Sequence, residues 1–420
     1  MKHKKILVVL VVMGFTSVLL MGCKNDSVPA TLPNTLTIIF DSKGGSEVAR
    51  QTIEVGNRVT KPTKPTKEGA IFDGWYNATE EYDFSSPVVK NMILYAKWIY
   101  NKEVSPQNVE GIFEGVVKGE TVALKATGKW TASDMTLLRI VLLENKGIRI
   151  RVDLSDSGLK EIPISMFRSC SNLESIVLPA SLETIGGLAF YDCSSLESID
   201  LPGTALATIG ASAFYGCSSL ESIDLPASLT SIGASAFSDC SSLESIDLSS
   251  SKLTSIGDYA FSSCYSLARI DLSSTALTSI GASAFSGCSS LESIDLSSSK
   301  LTSIGDDTFS GCRSLESINL SSTALTSIGR EAFSGCRSLE SIDLSSTALA
   351  SIGDYAFSSC YSLGTVTVRA TNPPTLGSDA FYDVPLAEIL VPSDNVTTYK
   401  EKEGWKEYSD KIKAIPESTT

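Results

Sequence analysis

The sequence predicts a mainly β protein: a solenoid of about ten coils of 23 or 24 residues, preceded by a small β-rich module. Three observations predict it. After Cys23, cysteines fall at 170, 193, 217, 240, 264, 288, 312, 336 and 360, spaced 23 or 24 apart. Phenylalanines keep the same beat from Phe167 to Phe381. The nonapeptide CSSLESIDL begins unchanged at Cys193, Cys217, Cys240 and Cys288, with near copies at Cys312 and Cys336. A period in the twenties sustained this long specifies stacked coils, because one unit cannot bury its apolar residues alone.

Each element of the unit has a physical reason. In LESIDL the Ile and the second Leu alternate with polar residues, the period-two pattern of a half-buried strand. Pro or Ser-Ser then ends the strand and opens a turn. LTSIG supplies a second inward Leu and Ile, and its glycine (186, 210, 233, 257, 281, 305, 329, 353 and 377) is expected to permit a turn that a side chain would hinder. Ala-Phe and Cys fill the returning arc. Glu, the second Ser and Asp are left to face outward.

This unit resembles the 23-residue leucine-rich repeats of the BspA family, found on bacterial surface proteins. The resemblance covers about residues 152–384 and rests on the coincidence of strand, Gly, Ala-Phe and Cys. It implies a leucine-rich-repeat solenoid, with residues 101–151 as its N-terminal cap and 385–420 as its C-terminal cap. In the latter, Ile389–Val391 is expected to pair as a last strand. Ser393 is expected to cap a helix bearing Val396, Tyr399, Trp405 and Tyr408. Residues 104–152 hold apolar runs suited to strands or a short amphipathic helix leading into the first repeat.

Residues 36–100 differ in texture, with short β-rich runs broken by Gly and Pro. GAIFDGWYNATEEYDF followed by VVKNMILYAKW resembles the Listeria–Bacteroides repeat, or InlB B-repeat, a small β-grasp-like module. That resemblance implies a spacer or auxiliary binding unit. Trp75, Tyr76 and Trp98 are either an aromatic contact patch for sugar or protein, or the core of a small β fold.

The first 22 residues read as a signal peptide: Lys2, Lys4 and Lys5 precede an uncharged apolar run from Ile6 to Leu20, rather short for a stable span. Leu20-Met21-Gly22-Cys23 resembles a lipobox, which implies cleavage before Cys23, its acylation, and a tether over residues 23–35. Several acyl chains hold a membrane far more firmly than one. The predicted location is the bacterial outer membrane or cell surface, with membrane contact through the lipid anchor only.

Charge and inventory narrow the function. The net charge of −14 becomes −17 without residues 1–22, and residues 171–360 carry 21 Asp and Glu against 6 Lys and Arg. So acidic a region argues against nucleic acid as a partner. The single histidine is His3, inside the leader, so Ser-His-Asp or Cys-His catalysis and His-ligated metals are absent by inventory. No enzyme, no cofactor and no metal is expected. The period-spaced cysteines, lacking any CxxC pair, read as small buried thiols, and side chains stacked in parallel suit disulfide torsion poorly.

Stacking the strands predicts two outward columns. One is Asp200, Asp224, Asp247, Asp271, Asp295, Asn319 and Asp343, flanked by Val177 and Thr367. The other is Ser198, Ser222, Ser245, Arg269, Ser293, Ser317 and Ser341, flanked by Ser175 and Thr365. Carboxylates at strand spacing repel, so the column favours cations or the Lys and Arg of a partner. A protein-docking surface, a solvated acidic strip and a Ca²⁺ site all remain open at this point. The function expected is that of a monomeric, lipid-anchored surface protein binding host matrix proteins, host cell-surface proteins or other microbial surfaces. The alternatives are a periplasm-facing envelope scaffold, or a glycan-binding protein using the N-terminal module.

Overall fold

The computed structural model describes residues 34–416 apart from Thr79, Pro202, Ser273, Ser274, Ser298, Ser322, Ser345 and Thr347; the leader, Cys23 and most of the tether lie outside the described residues. The N-terminal module is built from β1 (Thr35–Asp41), β2 (Gln51–Glu54), β3 (Ile71–Asn77), β4 (Glu80–Glu81) and β5 (Met92–Val104). β5 is its spine, parallel to β1 and antiparallel to β3. Trp75, Trp98 and Phe40 are buried between these strands, with Phe72 packed edge-on against both tryptophans.

β5 does not stop where the module does. Its second half, from Ile99, pairs in parallel with β6 (Thr121–Ala126), which pairs in turn with β7 (Arg149–Asp153). One sheet therefore runs from the module into the solenoid, and Tyr100 packs against the cores of both. Between β6 and β7 the chain crosses over by α1 (Ala132–Glu144). Thr131 starts this helix with a capping box: its hydroxyl accepts from the Asp134 amide, and the Asp134 carboxylate accepts from the Thr131 amide at 2.8 Å. Met135, Leu138 and Leu142 point into the solenoid core. The side chain of buried Asn172 donates to the carbonyls of Leu142, Asn145 and Ile148, which satisfies the end of the helix.

Counting β6 and β7, the inner face stacks thirteen strands among the described residues, three more than the periodicity alone gives. The turns opened by β6, by Glu388–Val391 and by Ile412–Ala414 lack the Ala-Phe and Cys of the repeat, whereas β7 opens the coil of Phe167 and Cys170. Each regular coil contributes a three-residue inner strand such as Ser245–Asp247 and a two-residue arc strand such as Ser255–Ile256. Phe167 through Phe381 form a ladder with ring centroids 5.1–5.5 Å apart and planes within 15°. From Cys193 to Cys360, each thiol donates to the Phe carbonyl of the coil before it, as Cys264 does to Phe237 at 3.1 Å. The nine repeat cysteines, Cys170 to Cys360, are all buried and unbridged.

The repeat glycine serves a different end from the one its position suggests. None of the nine lies at positive φ. A Cβ at Gly257 or Gly281 would instead stand 2.4–2.6 Å from backbone atoms of the preceding coil. Close coil-to-coil approach, not a turn, excludes the side chain. The turn strain falls two residues later, where Ser212, Ser235, Tyr259, Ser283, Asp307, Glu331, Tyr355 and Asp379 take φ of 52–56° or close to it. It falls again just before each Cys, where glycine is used only at 216, 287, 311 and 335.

The C-terminal end also departs from expectation. Glu388–Val391 is not the last strand: Ile412–Ala414 pairs beyond it in parallel. Ser393 does not cap a helix, since it lies within a 3-10 turn and the helix Val396–Glu401 starts after Asn395 without a side-chain cap. Closure of the core is achieved by Tyr399 and Trp405, both fully buried, whose OH and Nε1 donate to Ala370 and Pro374 carbonyls at 2.7 Å. Tyr408 sits edge-on to Phe381 and ends the aromatic ladder.

Candidate interaction surface

On the inner sheet, pairing brings Ser222, Ser245, Arg269, Ser293 and Ser317 into one column and sets Asp224 beside Asp247 and Asp271. Asp295 is paired with Asn319, Asp343 with Thr367, and Asp200 with Val177. Ser198 lies opposite Ser175, and Ser341 opposite Thr365. The intervening isoleucines turn inward. No strand pairing joins Ser198–Asp200 to Ser222–Asp224, or Ser317–Asn319 to Ser341–Leu344, among the described residues. A third column, of exposed Glu197, Glu221, Glu244, Glu292, Glu316 and Glu340, runs beside them.

The carboxylates of the Asp column are not equivalent. Asp247 accepts from the Ser249 amide at 2.9 Å and hydroxyl at 2.7 Å, and Asp295 from the Ser297 amide at 2.8 Å. These bonds close an Asx turn that ends the strand. The Ser249 hydroxyl and amide hold the Asp247 carboxyl below its usual range. Burial works to raise that of Asp295, but the Ser297 amide and hydroxyl with Asn319 outweigh it and leave it lowered. Asn319 makes the same turn through Oδ1 to Ser321 at 3.1 Å. Asp200 and Asp224 are followed two residues on by Pro202 and Pro226, which have no N–H to give. Asp343 is gripped by Arg369 at 3.0 and 3.3 Å. The expected mutual repulsion is thus broken up by turn bonds and one ion pair.

Toward the module the same face changes character. Buried Glu174 takes Arg149 on one oxygen at 3.3 Å and Arg151 on the other at 3.2 Å. Arg151, Lys125, Ala123, Val177 and Ser175 line a hollow of about 460 Å³ over β5, β6 and β7. Sequence periodicity gave no sign of this charge pair or hollow, because both depend on strands outside the regular repeat.

The aromatic residues of the module do not form a contact patch. Trp75 is 1% and Trp98 2% exposed, so both rings belong to the core, where the small sheet needs bulk. Tyr76 is half-buried, with the Lys97 ammonium 3.6 Å over its ring and its hydroxyl donating to Asp73 at 3.1 Å. Burial first, then Asp73, raises its pKa to about 12. The most exposed aromatic rings among the described residues lie on the solenoid, at Tyr259, Tyr265, Tyr355, Tyr361 and Tyr382. Burial pushes the stacked thiols up, that of Cys170 to about 11 and of Cys360 to about 12. Among the described residues no cluster of three or more His, Cys, Asp or Glu is arranged to hold a metal, and no helix is long and apolar enough to cross a membrane.

Residues 160–290 and 278–402 match the BspA type leucine-rich repeat region in six copies, and residues 37–97 match the Listeria-Bacteroides repeat domain. A putative Gly-rich membrane protein of Evansella cellulosilytica is 47% identical over 73 residues, 16% of this chain and 8% of that one. Internalin H of Listeria monocytogenes is 29% identical over 99 residues, 21% of this chain and 18% of that one. The chain thus spans less than a fifth of the length of the curated relatives it matches. Among solved structures, a leucine-rich repeat protein of T. pallidum is 31% identical, covering 46% of this chain and 78% of that one at a TM-score of 0.34. One from Bacteroides ovatus is 28% identical, covering 64% and 85% at a TM-score of 0.31.

Proposed function

The chain belongs to the BspA-type leucine-rich-repeat family, and on that premise we propose that it is a non-enzymatic, lipid-anchored bacterial surface protein. Its task is adhesion: it docks a partner protein of the host matrix, a host cell or another microbe along the inner face of the solenoid. The observation that carries this reading is the run of in-register outward columns, Ser and Arg on one side and carboxylates on the other. A rigid, extended face of this kind suits a broad protein epitope better than a small molecule.

Asp200, Asp224, Asp247 and Asp295 are the acidic contacts of the proposal, with Arg269 the single cation among the seven Ser-column residues. The test replaces those four aspartates by asparagine. Asn319 already makes the turn that Asp247 and Asp295 make, so the exchange removes charge and keeps the backbone. Capture of purified matrix proteins by the wild-type ectodomain, lost in the fourfold variant, is expected; undiminished capture would refute docking on this face. For the anchor, Cys23→Ser should abolish labelling by radioactive fatty acid. Protease treatment of intact cells separates a surface adhesin from a periplasm-facing scaffold.

A further inference from the structure

The two outward columns of the inner sheet do not end with the regular coils. Beyond Ser198 and Asp200 the register carries them through Ser175 and Val177 to Arg151 and Asp153, then to Ala123 and Lys125. They finish on Asn101 and Glu103 of β5, the strand that the module shares with the solenoid. Along these last strands the run of Ser and Asp gives way to mixed side chains, and the hollow of about 460 Å³ opens. Its surface is mostly apolar, with Ala123 and Val177 in the lining. The charged heads on its rim are already engaged. Arg151 pairs with Glu174 at 3.2 Å and Lys125 with Asp156 at 3.0 Å. Asp153 accepts from the Ser155 amide at 2.9 Å, Lys102 donates to the Glu114 carbonyl at 3.0 Å, and Glu103 stands beside Lys125 in the register.

We infer that this hollow anchors the docked partner: it takes one bulky uncharged side chain, such as tryptophan, from an extended segment whose following lysines or arginines lie on the acidic column. This role rests on the docking proposed above and adds where the partner is gripped and what chemistry it carries. A charged guest would have to strip the rim groups of their present partners, whereas an apolar guest gains from its burial alone. Large anchors seated in a pocket supply much of the binding energy of protein interfaces. Charge complementarity fixes the rest of the segment. Asp200 and Asp224, the column carboxylates nearest the hollow, are followed by Pro202 and Pro226 and receive no turn amide. Parallel strands stand about 4.8 Å apart, which puts Asp200 about 10 Å from the strand of Arg151, while same-face side chains of an extended peptide recur about every 7 Å. Lysines two and four residues after the anchor therefore fall on either side of Asp200, within reach of it and of Asp224.

Binding is measured by calorimetry in low salt on the full chain lacking only its leader. The probes are three acetylated peptides, WSKSKSKSK, SSKSKSKSK and WSESESESE. The tryptophan–lysine peptide should bind at least tenfold more tightly than the serine–lysine one, and the glutamate peptide should not bind. Ala123→Trp fills the hollow and Val177→Asn makes its wall polar. Both positions are half-buried on the outward side of the sheet, so the melting temperature should hold. Either variant should erase the advantage of tryptophan and leave the affinity of the serine–lysine peptide unchanged. The fourfold Asp→Asn variant should weaken both lysine peptides together. Equal binding of the two lysine peptides by the wild type, or a tryptophan preference that survives both hollow variants, would overturn the anchor and leave inner-face docking standing. Lysine peptides that bind the fourfold variant as well as the wild type, that bind no better than the glutamate peptide, or that do not bind at all would overturn the docking and the anchor with it.

Discussion

The ammonium of Lys67 lies 2.7 Å from the carboxylate of Glu120, and this pair ties the module to the solenoid. Both side chains are largely buried, and neither is held by the other alone. Glu120 also accepts from the Tyr100 hydroxyl at 3.0 Å and the Val117 amide at 3.1 Å, while Lys67 donates to the Lys43 carbonyl. With β5 pairing on both sides of the junction, the ion pair adds a side-chain tie to a continuous backbone sheet.

Breaking that pair should be felt in stability. Burial works to lower the Lys67 pKa, but Glu120 and Tyr100 outweigh it and leave it raised. A raised pKa means a contribution fully present below the unfolded value of about 10.5 and lost as pH rises through the folded value. Lys67→Met should cost about 2 kcal/mol at pH 7, less than a fully buried pair because water still reaches the lysine. The difference from wild type should shrink above pH 10.5, which urea melts at pH 7 and pH 11 would check. An equal gap at both would contradict an ionic tie.

The glycines give a test with an internal control. Alanine at Gly257 or Gly281 would drive a Cβ to within 2.6 Å of the neighbouring coil's backbone. Such overpacking should cost about 2–3 kcal/mol or more. At Gly305 the nearest atoms stand 3.4 Å away, and in this coil Thr308 takes the place of the usual Ala and donates its hydroxyl to the Gly305 carbonyl. No bridge joins the arc strands Ser279–Ile280 and Ser303–Ile304 there, among the described residues. Gly305→Ala should therefore cost less than about 1 kcal/mol. Equal loss at all three sites, read from denaturation midpoints, would argue for a turn requirement instead.

Left-handed positions offer the opposite sign. Ser263 and Ser359 take φ of 60° and 58° just before Cys, where Gly287, Gly311 and Gly335 stand in other coils. Glycine is relieved of the Cβ clash in that conformation. Ser263→Gly and Ser359→Gly should each stabilise by about 0.5–1 kcal/mol, and Gly311→Ala should destabilise by a similar amount. Melting temperatures of the three single variants decide it.

Much of this could be read from the residues, and what could not has common causes. The Ile–Asp alternation places inner strands, and the Phe and Cys beat places the arc, since both follow from burial on one face. β7 was legible as a strand leading into the coil of Phe167 and Cys170, but the stacking of β6 and Ile412–Ala414 as further coils was not, because those turns drop every repeat marker. Gly257 announced a constraint, but whether a glycine answers a turn or a close neighbour depends on the coil beside it. The Asp247 column looked like bare charge because an Asx turn needs the amide of Ser249, two residues away and apparently mere linker.

That Asx turn separates two kinds of aspartate. Asp247 is bonded by Ser249, so Asp247→Ala should lose about 0.5–1 kcal/mol, a modest figure because the group is largely in water. Asp224, with Pro226 two residues on, should tolerate alanine within about 0.5 kcal/mol. Because the Asp247 pKa is lowered, its contribution is present above the unfolded value of about 3.9 and lost as pH falls through the folded value. The stability gap between Asp247→Ala and wild type should accordingly close by about pH 2. A gap that persists there would mean that packing rather than the charged hydrogen bond was lost.

The cysteine ladder makes a prediction about time as well as stability. Every repeat thiol is fully buried, and those from Cys193 to Cys360 donate to a Phe carbonyl one coil away, so the ladder opens only when coils part. Burial also holds the thiols protonated at neutral pH, as the raised values for Cys170 and Cys360 indicate, which removes the thiolate needed for attack. Native protein at pH 8 should therefore react with a thiol reagent far more slowly than protein in 6 M guanidinium, where all nine repeat cysteines should label at once. Because Cys170 and Cys360 are the least deeply desolvated, partial labelling mapped by mass spectrometry should begin at these two ends. Labelling that begins at Cys264 or Cys288 would place the first opening in the middle of the stack, where among the described residues no bridge joins Ser279–Ile280 to Ser303–Ile304.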